Sequence, residues 1–314
     1  MIPDALREAR RPLCLGIGGG GDVVGALATA EHCRLEHGAR PVLGGVTWER
    51  RPIDPQPGPR AAAEIEGARP LAPAVLMASG GTRVRSSGVR FAESRMAELL
   101  GEETVLVDAG QGPAAVADGL GEAAAELGCD LVVFVDVGGD ALAHGGEPGL
   151  ASPLCDAIML AAAVRMAEGA GPALLGAVFG IGCDGELTPD EVLARLAEVE
   201  EAGGLLGRLP ITEPVARRLA AAVEAVPTEA SALALRAFRG ESGRIEIRGG
   251  RRHVDLRPLA AETTFFDPAV AARSAARLVP AVYDAPDLDA ANEILRRLGI
   301  RTELDYERDA ARAV

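Results

Sequence analysis

The sequence predicts an α/β fold: a Rossmann-like three-layer sandwich with a mostly parallel sheet and a C-terminal extension of helices and one β-hairpin. Short apolar runs alternate with alanine-rich stretches of helical periodicity over residues 1–205, which is typical of repeated strand–helix units. The first apolar run ends in a glycine-rich turn before a helix. The run at 130–136 is apolar on both faces, which indicates a buried central strand. We assign 1–205 to the core and 206–314 to an extension packed on it within one continuous domain.

The composition of the chain argues against several classes of function. The 314-residue chain is 48% hydrophobic, enough for a large core, and its formal charge of −14 opposes a nucleic-acid-binding surface. It has no apolar run of about 20 residues and no signal-peptide core, so we expect a cytoplasmic protein without a membrane partner. Lysine is absent, which excludes a phosphate-loop lysine and a Schiff-base lysine. The cysteines and histidines show no metal-binding spacing.

The first element is a strand, turn and helix at 13–35. Gly16, Gly18 and Gly21 match the G-x-G-x-x-G spacing of turns in which the main chain approaches a phosphate at a helix N-terminus. We therefore expect a ligand to bind along Gly18, Gly19, Gly20 and Gly21. Asp22 opposes a bare pyrophosphate there, because two anions repel each other. It caps the helix, holds ribose hydroxyls, or faces a phosphate across a divalent cation.

A second strand, at 41–47, leads into a proline-rich loop at the carboxyl end of the sheet, where open parallel sheets bind ligands. The candidate ligand-binding residues of this loop are Glu49, Arg50 and Asp54. Glu49 either holds a ribose hydroxyl, as the acidic residue after the second strand does in dinucleotide folds, or belongs to a surface loop on which Trp48 packs.

A third strand is predicted at 73–78, with a loop of small and cationic residues after it. The candidate ligand-binding residues there are Gly80, Gly81, Thr82 and Arg83. Since lysine is absent, an arginine is the natural clamp for a phosphate or carboxylate, so this loop predicts a second anion-binding site. The alternative is a solvated loop. A helix at 91–100 and a strand at 104–107 follow, and Asp108 closes that strand at its carboxyl end.

The central strand at 130–136 ends in Asp136, and Asp140 follows across Gly138 and Gly139, which we include among the ligand-binding residues. Two acids at a buried strand end cost stability unless a metal, an arginine or an N–H group compensates them. We therefore predict that Asp136 and Asp140 belong to the active centre together with Asp22. The alternative is that Asp136 caps a neighbouring loop and Asp140 is solvated.

Further acidic residues follow at the same edge. Glu147 lies in the loop after the central strand, and a strand at 174–180 ends shortly before Asp184 and Glu186; all three are candidate ligand-binding residues. Asp156 lies in the first turn of a helix that starts at Pro153, and ordinary helix-start electrostatics explains it.

The extension is predicted from caps and turns. A capping box at Thr188 predicts the start of the last helix before the extension. Helices begin near Thr212, Thr228 and Asp267, and a hairpin spans 244–256 around two glycines. The last helix runs from Asp287 to Gly299.

Several separate motifs resemble the domain-of-unknown-function 1152 family: Gly-Ile-Gly-Gly-Gly-Gly-Asp at 16–22, Trp48-Glu49-Arg50 with Asp54-Pro55 and Pro57-Gly58-Pro59-Arg60, Asp136-Val137-Gly138-Gly139-Asp140, and Asp184-Gly185-Glu186. The resemblance covers most of the chain. It implies a shared fold, and it implies no activity, cofactor or catalytic residue.

The sequence favours an enzyme that binds a small ribosylated or phosphorylated metabolite, of nucleotide or sugar-phosphate type. Its carboxylates suit hydrolysis or transfer at a glycosidic or phosphoester bond. The other hypotheses are a non-catalytic nucleotide or metabolite sensor and an NAD(P)-dependent oxidoreductase. The cofactor stays open, and a divalent cation such as Mg²⁺ is the option that carboxylates favour. The sequence allows a homo-oligomer and does not fix the oligomeric state.

Overall fold

The computed structural model describes residues 2–313, which form a nine-stranded sheet with helices on both faces and a separate two-stranded hairpin. The strands are β1 (Pro12–Gly16), β2 (Val42–Val46), β3 (Ile65–Ala72), β4 (Val75–Val84), β5 (Thr104–Val107), β6 (Leu131–Val137), β7 (Ala173–Phe179), β8 (Leu205–Pro210), β9 (Gly243–Ile247), β10 (Arg252–Leu256) and β11 (Glu262–Phe266). The α-helices are α1 (Asp4–Glu8), α2 (Asp22–His37), α3 (Ala92–Leu100), α4 (Gly112–Leu127), α5 (Pro153–Ala167), α6 (Pro189–Glu201), α7 (Glu213–Ala225), α8 (Glu229–Phe238), α9 (Pro268–Ser274), α10 (Leu278–Val282), α11 (Leu288–Arg297) and α12 (Glu303–Arg312).

The large sheet has the strand order β3-β4-β5-β2-β1-β6-β7-β11-β8. Its central strands β5, β2, β1, β6 and β7 pair in parallel. Only β4 and β11, among the strands described, run against both of their neighbours. The remaining seven of the nine strands therefore share one direction. This confirms the predicted mostly parallel sheet.

Two hydrophobic cores lie on opposite faces of this sheet. Alternate residues of β1 point to opposite faces. Leu13 and Leu15 pack in the core that contains residues of α4, α5 and α10, and Cys14 packs in the core that contains residues of α2, α7 and α8. The predicted three-layer sandwich is confirmed. Among residues 2–313, none of the helices combines the length and the apolar character that crossing a bilayer requires.

Local signals placed most helix starts correctly. Thr188 and Glu191 form the predicted capping box at the start of α6. The side chains of Asp267 and Asp287 accept main-chain N–H groups at the starts of α9 and α11. The hairpin predicted at 244–256 is β9 and β10, which pair antiparallel.

The C-terminal part of the chain is more closely built into the sheet than the sequence indicated. Besides the predicted helices and hairpin, it contributes β8 and β11 to the large sheet. The helix predicted from Asp287 to Gly299 is α11, but it is not the last helix, because α12 follows it. Neither strand has the long apolar run that marks β6, since β8 is largely exposed and β11 is only five residues long.

The predicted second anion-binding loop is not at the ligand edge of the sheet. The strand predicted at 73–78 continues as β4 to Val84, so the four candidates Gly80, Gly81, Thr82 and Arg83 lie within it. Since β4 runs antiparallel to β5, with Val75 beside Val107 and Ala78 beside Thr104, they lie toward the amino end of β5. Arg83 forms an exposed ion pair with Glu66 at 2.6 Å.

Candidate functional site

The glycine turn joins β1 to α2 and holds Asp22 in a role that the sequence did not single out. Gly21, not Asp22, is the N-cap residue, and it makes no side-chain cap hydrogen bond. Oδ2 of Asp22 instead accepts the Gly18 main-chain N–H at 2.9 Å. A Cβ on Gly18 would lie 2.6 Å from that oxygen. The interpretation of Asp22 as a helix cap is therefore wrong, and Gly18 is required because the carboxylate folds back over it.

Asp22 belongs to a group of three carboxylates that we call the first carboxylate group: Asp22, Asp136 and Asp156. One carboxylate oxygen from each lies within 4.8 Å of the others. The group forms because β1 and β6 are adjacent and parallel, so the residues that follow them meet at one edge of the sheet. Asp156 enters from the first turn of α5 and is 2% exposed. Helix-start electrostatics alone does not account for it, so the sequence reading missed this member.

The second carboxylate group consists of Asp140, Asp184 and Glu186, whose oxygens also lie within 4.8 Å of one another. The glycines after β6 make this approach possible. Gly138 has a φ of +128°, and a Cβ there would lie 2.2 Å from Oδ1 of Asp184. Gly139 has a φ of +116°. Both glycines therefore act through their backbone conformation, and Gly138 also leaves space for Asp184.

Three carboxylate oxygens in these groups are buried without a hydrogen-bond partner anywhere in residues 2–313. They are Oδ2 of Asp140, Oδ1 of Asp156 and Oδ1 of Asp184. The three residues are between 2% and 6% exposed. Buried polar atoms are almost always hydrogen-bonded, because an unpaired one loses its interaction with water and gains nothing in return. Such oxygens are satisfied either by protonation of the acids or by a bound cation.

Burial and mutual repulsion disfavour the charged forms of these acids. Burial and the charge of Asp136 raise the pKa of Asp22 to about 8. Burial raises the pKa of Asp136 to about 7, against hydrogen bonds that lower it. Burial, followed by neighbouring carboxylates, also raises the pKa well above its usual range for Asp140, Asp156 and Asp184. Nearby arginines lower the pKa values of Asp22, Asp156 and Asp184, but burial has the larger effect and raises them.

Three arginines border the two groups. Arg50 donates to the main-chain oxygen of Gly18 and to Oε1 of Glu303, the latter at 3.2 Å. Arg252 and Arg248, at the hairpin, place Nη1 at 3.2 Å and 3.8 Å from Oε1 of Glu186. Arg50 therefore lies beside the first carboxylate group, and Arg248 and Arg252 lie beside the second.

The C-terminal helix α12 holds the loop that carries Arg50. The two oxygens of Glu303 accept the main-chain N–H groups of Leu154 and Cys155 at the start of α5. Glu307 accepts the indole N–H of Trp48 at 3.0 Å and the main-chain N–H of Gly58 at 2.9 Å. The guanidinium of Arg50 stacks over the Trp48 ring, 4.1 Å from its centroid. The sequence reading missed both glutamates because it ended the last helix before them.

In the loop after β2, the predicted residues Glu49 and Asp54 are buried and held by contacts within the protein. Glu49 is 4% exposed and accepts the Ala92 main-chain N–H; burial raises its pKa to about 7. Asp54 accepts the Gln56 main-chain N–H at 2.9 Å and lies 3.4 Å from the buried guanidinium of Arg60. Glu49 is therefore not a surface-loop residue, and Trp48 is fully buried rather than packed on a loop edge. These contacts position the loop that carries Arg50.

Two other predicted residues lie at the right edge of the sheet but have structural partners. Asp108 accepts the Gly110 main-chain N–H at 3.0 Å and a side-chain N–H of Gln111 at 3.0 Å. Its side chain thereby caps a short 3₁₀ turn. Glu147 accepts the main-chain N–H groups of His144 and Gly145, both at 2.8 Å. Neither belongs to the two carboxylate groups formed by the described residues. Their geometry supports a loop-stabilising role.

The donor set fits a hard divalent cation. All six members of the two groups offer carboxylate oxygen, the ligand that Mg²⁺, Mn²⁺ and Ca²⁺ prefer, and neither group contains a histidine or cysteine of residues 2–313. A cation would also satisfy the three unpaired oxygens and offset the repulsion that raises the pKa of the five aspartates.

Comparison with known proteins places the chain in a family without assigning it an activity. A search of curated proteins and a search of solved structures each return no match. The model of one family, described as protein of unknown function (DUF1152), matches residues 13–311. The match spans nearly the whole chain and both carboxylate groups, and the protein therefore belongs to the DUF1152 family.

Proposed function

We propose that this protein is a cation-dependent enzyme that hydrolyses or transfers at a phosphoester bond of a small phosphorylated metabolite, of nucleotide or sugar-phosphate type. The observation that carries the proposal is the meeting of two carboxylate groups at one edge of the sheet, with three buried oxygens that find no partner in residues 2–313. An acidic site of this kind repels a phosphorylated ligand unless cations lie between them.

Divalent cations explain why six carboxylates are kept together. Charged groups are buried at a large cost in free energy unless they are paired or coordinate a metal. Asp136 ends a strand that is buried along its whole length, and such a strand is a rigid support for a ligand. Binding of a cation releases the protons that the raised pKa values hold on the acids, so affinity for the cation rises with pH.

The chemistry follows from what such a cation does to bound oxygen. A cation held by these carboxylates would lower the pKa of a coordinated water and neutralise charge that develops on the phosphoryl oxygens. A carboxylate oxygen of the site that stays outside the coordination of the cation is suited to accept the proton of the attacking water. This chain therefore supplies the cation ligands and a base at the same sheet edge.

Arg50 supports a phosphate position beside the glycine turn. Its guanidinium already contacts the Gly18 main-chain oxygen, and its Nη1 is buried without a hydrogen-bond partner in the part of the chain described. Arginine binds phosphate oxygens through such donors. Half-buried glycines from Gly18 to Gly21 leave this side of the turn accessible.

The alternatives predict different behaviour. A sensor would bind the same ligand and cation but release it unchanged. A glycosidic reaction uses carboxyl groups as acid and base and needs no cation. An oxidoreductase needs the glycine turn for a pyrophosphate, and the Gly18 N–H is already bonded to Asp22.

The test is a screen of phosphomonoesters, nucleotides and sugar phosphates for released phosphate or transferred phosphoryl group, with Mg²⁺ or Mn²⁺ and with chelator. The proposal expects turnover of at least one compound with cation and none with chelator. Asp140→Asn should lose this activity, and Asp118→Asn, which changes an exposed aspartate on α4, should keep it. Cation-independent cleavage of a glycosidic bond, or binding without turnover across the panel, would overturn the proposal.

A further inference from the structure

The hairpin of β9 and β10 packs beside the second carboxylate group and brings arginine to it. Its inward residues Ile247 and Val254 are buried, and both lie within 3.6 Å of where a Cβ on Gly185 would be. The hairpin is thereby fixed against the loop that carries Asp184 and Glu186. Arg248, at the turn, has a φ of +53°, a conformation that a residue other than glycine seldom adopts.

Glu186 does not need the hairpin arginines for its own hydrogen bonds. Its Oε2 accepts the main-chain N–H groups of Ala151 and Ser152 at 2.7 Å and 2.8 Å, and its Oε1 accepts the Ser152 hydroxyl at 2.6 Å. Nη1 of Arg252 is buried, and within residues 2–313 it has no hydrogen-bond partner of good geometry. Arg248 is 43% exposed and lies 3.8 Å from Glu186. Arg252 therefore has a buried donor that no described residue satisfies, and the guanidinium of Arg248 is open to solvent.

The groups that face these arginines are acidic. Asp140 and Asp184 belong to the second carboxylate group, and each has a buried oxygen for which residues 2–313 supply no partner. The main-chain N–H of Arg248 donates to a carboxylate oxygen of Glu229 at 2.8 Å, and this bond holds the turn of the hairpin in place. An anion therefore fits here only if it meets the arginines on one side and a cation on the other.

We propose that Arg252 and Arg248 form an anion subsite that holds a phosphate group of the substrate against a cation bound by Asp140, Asp184 and Glu186. This inference rests on the proposed function, since the cation is part of the subsite. A phosphate suits the position because its oxygens can contact the cation and a guanidinium at the same time. The subsite lies beside the second carboxylate group, whereas Arg50 lies beside the first, so it assigns a phosphate of the substrate to the hairpin side of the site.

The test uses the full chain saturated with Mg²⁺ and inorganic phosphate as the probe, with binding measured by calorimetry. Arg252→Met and Arg248→Met remove the guanidinium and keep an apolar stem. Arg244→Met removes an exposed charge from β9 of the same hairpin and is the matched control. Acetate titrated in place of phosphate tests whether any small anion suffices. Melting temperatures of all variants show whether the hairpin stays folded.

Arg252→Met should weaken phosphate binding by roughly 10- to 100-fold and Arg248→Met by roughly 3- to 10-fold, because charge-assisted hydrogen bonds are among the strongest. Arg244→Met should stay within about twofold of the unmodified protein. Mg²⁺ affinity should be unchanged or higher in Arg252→Met, because a like charge near the cation has been removed.

Four results would overturn the inference in distinguishable ways. If Mg²⁺ binds but phosphate does not, the subsite is wrong and the cation site stands. If Arg252→Met and Arg248→Met bind phosphate as the control does, the arginines are not its ligands. If acetate binds as tightly as phosphate, the subsite is not a phosphate site. If Mg²⁺ itself does not bind, the proposed function fails and this inference fails with it.

Discussion

The main-chain N–H of Gly18 donates a 2.9 Å hydrogen bond to Oδ2 of Asp22. In a dinucleotide-binding turn the main chain approaches a pyrophosphate, whereas here it supports a carboxylate. The bond holds Asp22 near Asp136, which lies in the neighbouring strand β6, and near Asp156, which lies in the first turn of α5. A glycine-rich turn is thereby part of an acidic site.

Gly18→Ala should disrupt that site. The added Cβ would lie 2.6 Å from Oδ2 of Asp22 and 3.2 Å from Oδ1 of Asp156, so the two carboxylates must move apart. We expect Mg²⁺ affinity, measured by calorimetry, to fall by about tenfold or more, which is about 1.4 kcal/mol.

Gly20→Ala is the matched control for that change. Its φ is +56°, and its Cβ would meet only Cγ of Arg50 at 3.6 Å. It should cost roughly 1–2 kcal/mol of stability through backbone strain and leave cation affinity near that of the unmodified protein. Equal losses of affinity in both variants would contradict the assigned role of Gly18.

Asp136→Asn and Asp140→Asn should separate function from folding. Each keeps the shape of the side chain and removes a charge whose burial is unfavourable, so the metal-free variants should melt within a few degrees of the unmodified protein or above it. Both should lose cation binding and any cation-dependent activity. Variants that melt early and still bind the cation would show that these aspartates serve the fold alone.

The stability of the metal-free protein should depend on pH in a defined direction. The folded pKa of Asp22 is about 8 and that of Asp136 about 7, both above the value of about 3.9 in an unfolded chain. Between pH 4 and pH 8 the folded form therefore keeps protons that the unfolded chain releases. Stability is fully present below the unfolded pKa and is lost as the pH rises through the folded pKa.

Thermal unfolding in chelator should therefore give a melting temperature that falls from pH 5 to pH 8, with a smaller fall in Asp136→Asn. Saturating Mg²⁺ should raise the melting temperature most at the alkaline end, because the cation replaces the protons. A melting temperature that rises over this range in chelator would contradict the burial of these acids.

Glu307→Ala should loosen the loop after β2. It leaves the indole N–H of Trp48 and the main-chain N–H of Gly58 without their buried acceptor. We expect a loss of roughly 1–3 kcal/mol in the free energy of unfolding in urea, and a red shift of the emission of Trp48, the only tryptophan. Asp309→Ala, on the exposed side of the same helix, should change the free energy by no more than about 0.5 kcal/mol. Emission unchanged in Glu307→Ala would contradict this arrangement.

Much of the fold follows from local patterns in the sequence. The apolar run of β6, the capping box at Thr188 and the glycines of the hairpin depend on neighbouring residues, so one sequence suffices to find them. Strands β3 and β8 were not predicted because they are largely half-buried or exposed, and β11 because it is short and pairs with strands distant in sequence. The direction of β4 is a property of the whole sheet, so it could not be read from the run at 73–78.

The same distinction applies to the site. Asp136 and Asp140 could be predicted because they end an evidently buried strand. Asp156 could not be separated from an ordinary helix-start acid until β1, β6 and the start of α5 were placed together. Arg252 lies 66 residues after Glu186 in the sequence, and Glu303 lies 117 residues after it. No local pattern links positions that are so far apart. Their contacts come only from the packing of the hairpin and of α12.

The central claim is that the two carboxylate groups bind divalent cations, and the most direct measurement is anomalous diffraction from crystals grown or soaked with Mn²⁺. The account predicts an anomalous peak in contact with Asp22, Asp136 and Asp156, another in contact with Asp140, Asp184 and Glu186, and loss of the second peak in Asp140→Asn. Crystals saturated with Mn²⁺ that show no anomalous peak at either group would contradict it.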